Sequence, residues 1–82
     1  MTPELAARAQ VATALRSGRL TRNARCEVPG CPRTNVIDGH HEDYDRPLDV
    51  IWLCRFHHQV LHQSRRRGDP DPQWMRTIKE AA

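Results

Sequence analysis

The chain has 82 residues, of which 38% are apolar, with one Phe, one Tyr and two Trp. So short and aromatic-poor a sequence makes one small domain and excludes a large self-sufficient core, so a metal or disulfide staple is expected. The formal net charge is only +3, and without a signal peptide or long apolar run a reducing cytoplasm is the expected compartment, with no membrane partner and no small-molecule substrate implied.

The distribution of charge says more than its sum. Arg8, Arg16, Arg19, Arg22, Arg25 and Arg33 crowd the first 33 residues against only Glu4 and Glu27. Arg65, Arg66 and Arg67 form a second cluster, and Asp38, Glu42, Asp43, Asp45 and Asp49 make the middle acidic. Twelve of the 13 basic residues are Arg, the side chain suited to bidentate phosphate contacts. Two such clusters favour nucleic acid over a merely solvated basic face, with Arg19, Arg22, Arg25, Arg65, Arg66 and Arg67 as the candidate contacts.

In chain order, Thr2-Pro3-Glu4 reads as a helix start: a Thr N-cap, Pro at the first position and an acidic residue near the positive dipole end. The helix runs through Arg16 and stops at Ser17-Gly18. Leu5, Ala9, Ala12 and Leu15, with Val11 beside them, form a thin apolar stripe, so this helix must dock to persist. Arg8 and Arg16 share another face, either as a solubilising surface or as a contact to phosphate or a partner. A basic connector, 19–25, leads to Cys26-Glu27-Val28-Pro29-Gly30-Cys31, where Pro29 and Gly30 allow a tight turn. Val36-Ile37 is a short apolar run followed by Asp38-Gly39 as a bend or bulge, then His40-His41. Leu48 to Leu53 is the clearest strand, which makes 42–47 a hairpin connection with Asp38, Asp43 and Asp45 as turn formers. A helix follows from Cys54 to Arg67, ended by Gly68. Asp69-Pro70-Asp71-Pro72 is a stiff linker that also caps a last short helix, pinned by Trp74 and Ile78. Three segments result: a basic helix over 1–18, a metal module over 19–67, and linker plus short helix over 68–82.

All three cysteines and all five histidines fall within the 37 residues from Cys26 to His62. Zinc prefers thiolate and imidazole in a closed set of four, usually as two short pairs separated by a loop. Cys26-x4-Cys31 is one pair and Cys54-x2-His57, in one turn of helix, is the other. Three cysteines cannot all pair with one another, so this spacing reads as ligands rather than bridges. His58 competes with its neighbour His57 for the fourth place. His40 and His41 face opposite ways if their strand is regular, and His58-x3-His62 repeats at one helical turn.

Knuckle, hairpin, then a helix completing the metal site is the order of a treble-clef zinc finger, and the class expected is small α+β, zinc-stabilised. With Asp38-Gly39-His40-His41, Pro47-Leu48-Asp49-Val50, Cys54-x2-His57-His58 and His62, the chain resembles the HNH endonuclease superfamily (ββα-metal). It is similar to the small HNH-like proteins common in bacteriophage genomes, which would place it in a host cytoplasm. The resemblance covers residues 26–62. It implies hydrolysis of a DNA phosphodiester bond, with His41 as general base and His40, His58 and His62 holding a second divalent ion, whether Mg²⁺, Mn²⁺, Ni²⁺ or Zn²⁺. Imidazole suits a general base because it ordinarily titrates near neutral pH. Asp49 stands where the family has the Asn that orients the base, and only seven residues separate it from His41. The same scaffold also suits a non-catalytic DNA-binding finger or a small effector that binds a host protein.

Overall fold

The computed structural model describes residues 2–81; Met1 and Ala82, at the outer edges of the first and third segments, lie outside the described residues. It is a small α+β structure: helix α1 (Pro3–Ser17), strands β1 (Ile37–His41) and β2 (Val50–Cys54), and helices α2 (Arg55–Arg67) and α3 (Gln73–Ala81). The strands pair antiparallel, from Ile37 opposite Cys54 to His41 opposite Val50. None of the described helices is long and apolar enough to cross a membrane.

α1 begins as its sequence dictates, with Thr2 Oγ1 accepting the Leu5 N–H at 3.2 Å. Its buried face differs from the expected stripe. Ala7 and Ala14 are buried, Val11 and Leu15 half-buried, whereas Leu5, Ala9 and Ala12 are exposed. Alanine carries too little hydrophobic contrast to fix the phase of a helix, and the side that docks is the one whose small residues allow close approach.

β2 starts two residues later than expected and takes in Cys54, leaving Leu48 exposed. Asp38-Gly39 is no bulge: both residues sit in the regular ladder, opposite Leu53 and Trp52. Gly39 is required there by close approach, because a Cβ would lie 3.0 Å from Val50 Cγ1 and 3.2 Å from the Trp52 ring. Asp43 does form the turn, accepting the Asp45 N–H at 2.9 Å. The knuckle is fastened to the outer edge of β2 through Glu27. Its N–H donates to the Trp52 carbonyl at 2.8 Å, and its carboxylate accepts the Trp52 N–H at 2.6 Å. A strand edge that would otherwise offer unpaired groups is thereby covered.

α2 ends at Gly68, whose φ of +78° lets Gly68 and Asp69 N–H return to the carbonyls of the last turn, an arrangement glycine adopts without steric cost. The core comprises Cys26, Val28, Cys31, Ile37, Trp52, Leu53, Cys54, Leu61 and Met75. Trp74 and Ile78 pack against it as expected, but the residue of α3 buried most deeply is Met75. Asp71, expected to cap α3, instead turns its carboxylate to Arg65 (3.0 and 2.8 Å).

Val36, just before β1, has φ of +51°, a left-handed conformation that costs a β-branched residue roughly 1–2 kcal/mol. Its side chain is 57% exposed, so little packing compensates. Val36→Asn keeps the carbonyl that accepts the Arg55 N–H and tolerates this conformation better. It should raise stability by about 1 kcal/mol in urea unfolding of the metal-loaded protein; a loss would show that the Val36 side chain contributes contacts of its own.

Candidate metal centres

Two groups of side chains come together, on different sides of α2's first turn. In the first, ligand atoms of Cys26, Cys31, Cys54 and His57 all lie within 4.8 Å of one another. The Cys31 N–H to Val28 carbonyl bond (3.0 Å) closes the turn that aligns the first two thiols. Cys54 is the N-cap of α2, so His57, three residues on, meets it from the same turn. His57 Nδ1 is 3.2 Å from Cys54 Sγ and 3.6 Å from Cys26 Sγ. Bond lengths of 2.3 Å to sulfur and 2.0–2.1 Å to nitrogen place tetrahedral S and N ligands about 3.6 Å apart, so the spacing is compatible with zinc.

The chemistry of the donors agrees. All three thiols are free and buried. Burial pushes the Cys26 thiol up. Burial pulls Cys54 the same way, but the N–H of His57, the Cys26 and Cys31 thiols and the N–H of Phe56 bring it below its ordinary value. Burial, aided by the Arg33 charge, lowers His57 and favours neutral imidazole, the form that ligates. The Trp74 ring covers His57 edge-on at 5.4 Å.

In the second group, ligand atoms of His40, His58 and His62 lie within 4.8 Å of one another, so His58 belongs here and does not compete with His57. Strand β1 supplies His40, and the one-turn spacing of α2 supplies the other two. His62 and His58 approach Nε2 to Nε2 at 2.9 Å, and His40 meets both rings edge-on at 5.3 and 5.6 Å. Desolvation lowers both His40, against the pull of Glu42, and His62. Three imidazoles this close could hold a divalent ion in their neutral form.

Comparison with known proteins returns no match: no family model, no curated protein and no solved structure. The chemistry has to be read from the site itself.

His41 opens onto the same small cleft as His40, His58 and His62, along with Tyr44 and, from α1, Glu4 and Arg8. Its Nε2 is 2.7 Å from the Pro47 carbonyl. A carbonyl only accepts, so His41 Nε2 donates this bond, and in a neutral imidazole Nδ1 then carries the lone pair. Asp49 is not its partner. The Asp49 carboxylate pairs with Arg46 at 3.4 Å, and the residue lines a different cavity, with Ile78 and Lys79; the hairpin's second turn, Asp49 N–H to the Arg46 carbonyl, holds it there.

The six candidate phosphate contacts divide. Arg19, Arg25, Arg66 and Arg67 are exposed. Arg22 serves the fold: it donates to the Ile37 carbonyl at 2.7 Å and stacks over Trp52 at 5.0 Å. Arg65 is taken up by Glu42 and Asp71. Sequence reasoning misses Asp38 and Glu42 as partners of the histidines: Asp38 Oδ2 lies 3.2 Å from His58 Nδ1, and Glu42 Oε2 lies 2.6 Å from His40 Nε2. The available signal is their spacing, since Asp38 and His40 alternate along β1 and Glu42 continues that alternation one residue past its end.

Proposed function

We propose that this chain is a zinc-stabilised treble-clef module of HNH type that nicks DNA with the help of a divalent cation. The observation that carries the reading is His41, its Nε2 held by the Pro47 carbonyl, on the wall of the same cleft as the three-histidine cluster. In this reading Cys26, Cys31, Cys54 and His57 hold zinc and leave it no open position for substrate. His40, His58 and His62 hold the second ion, which would supply Lewis-acid stabilisation of the charge developing on the scissile phosphate. His41 takes a proton from the attacking water at Nδ1 while Pro47 fixes its ring, so the orienting role assigned to Asp49 by resemblance falls to a backbone carbonyl. Arg8, on the cleft's rim, is paired with Glu4 at 3.0 Å, so Arg19, Arg25, Arg66 and Arg67 are the candidates for backbone contacts.

Supercoiled plasmid incubated with the zinc-loaded protein and Mg²⁺, Mn²⁺ or Ni²⁺ should accumulate open circles, and His62→Ala should abolish this while still retarding DNA in a gel. Retardation without nicking under any ion would make the chain a non-catalytic DNA-binding finger. Neither nicking nor retardation would redirect the search to a protein partner.

A further inference from the structure

His40 is held by a carboxylate to which the scheme above gives no role. Glu42 lies just past β1, and its oxygens meet three side chains. Oε2 is 2.6 Å from His40 Nε2 and accepts from Arg65 Nη1 at 2.8 Å; Oε1 accepts from Arg65 Nη2 at 2.9 Å and from Lys79 Nζ at 2.6 Å. Arg65 is braced in turn by Asp71 through Nε and Nη2. With Arg65 donating to both of its oxygens and Lys79 to one, Glu42 has the surroundings of an ordinary ionised carboxylate. An ionised carboxylate only accepts, so His40 must donate through Nε2–H, and Nδ1 is the atom left to face the cluster. His58 follows the same logic, with Nδ1 toward Asp38 and Nε2 toward His62. Carboxylates behind metal-binding imidazoles set tautomer and ring direction in this way.

We propose that Glu42 is a positioning residue of the three-histidine centre: gripped by Arg65 and Lys79, it locks His40 in the tautomer that offers Nδ1 to a divalent cation, and so makes α3 part of that centre. The cation half of this inference rests on the reading of the cluster given above; the tautomer half does not.

The test is Glu42→Gln beside Lys79→Met, each in the zinc-loaded protein. In Glu42→Gln the new amide would turn its oxygen to Arg65 and Lys79 and its NH₂ to His40, which then has to accept at Nε2 and carry its proton on Nδ1. Imidazole nitrogen shifts by NMR, without added cation, should report Nε2–H at His40 in the wild type and in Lys79→Met, and Nδ1–H in Glu42→Gln. Ni²⁺ binding measured by calorimetry, with zinc content checked, should weaken roughly 10–100-fold in Glu42→Gln. A purely structural bridge between β1, α2 and α3 predicts otherwise: both variants would melt earlier, with His40 tautomer and Ni²⁺ affinity unchanged, and that result overturns the proposal. An Nδ1–H His40 in the wild type overturns it whatever becomes of the variants. Wild-type protein that binds no Ni²⁺ overturns the cation reading, while the tautomer switch still decides whether Glu42 sets His40.

Discussion

Cys54→Ser should leave the chain without a cooperative fold at room temperature, and chelation of the wild type should do the same. Cys26, Cys31 and Cys54 make up a third of the nine core positions, and Cys54 is completely buried. On the zinc reading, its thiolate ties β2 and the first turn of α2 to the knuckle. Structural zinc contributes an apparent 10–16 kcal/mol in small finger peptides, whereas whole domains are stable by only about 5–15 kcal/mol. Losing even half of that contribution removes the margin. Circular dichroism together with bound-zinc analysis checks this; a metal-free Cys54→Ser protein melting at the wild-type temperature would refute the zinc centre as the source of the fold.

His41→Ala should slow plasmid nicking by about 10²–10⁴-fold, the usual range for loss of a general base. Zinc content and second-cation affinity should not change. His41 is half-buried at the end of β1, and its side-chain hydrogen bond to the Pro47 carbonyl joins two points of the same hairpin, so its removal leaves both metal clusters standing. This separates it from His62→Ala, which should lose cation affinity as well as rate. Nicking at the wild-type rate in His41→Ala would remove His41 from the chemistry.

What can be read from the sequence is whatever local spacing encodes. Cys54-x2-His57 and His58-x3-His62 name their geometry because one helical turn brings each pair together, and Cys26-x4-Cys31 does so through its turn. The hairpin and the three helices are legible from capping residues and from the β-branched run before Cys54. The phase of α1 is not, since Ala7 and Ala14 are no more apolar than Ala9 and Ala12. Asp38-Gly39 reads as a turn because both residues favour turns; only the Trp52 ring lying over Gly39 explains why it is strand. Glu42 and Arg65 are 23 residues apart, and no periodicity announces a contact between charged residues at that distance. Arg65 therefore reads as an exposed phosphate contact, although its guanidinium already has two carboxylates.

His57 and His58 are consecutive, yet they face different clusters. A single peptide bond in the first turn of α2 thus spans both centres, and the torsion angles that bring His57 to the thiols also aim His58 at His40. On the two-ion reading, thermodynamic linkage follows from that shared turn: an ion that orders His57 also meets the entropy cost of orienting His58, so occupancy of the cysteine centre would raise the affinity of the histidine centre, and the reverse would hold by the same factor. Since thiolates bind zinc more tightly than three imidazoles bind a hard cation, loading would on that reading be sequential, and loss of zinc would weaken the histidine centre before any change reached the cleft.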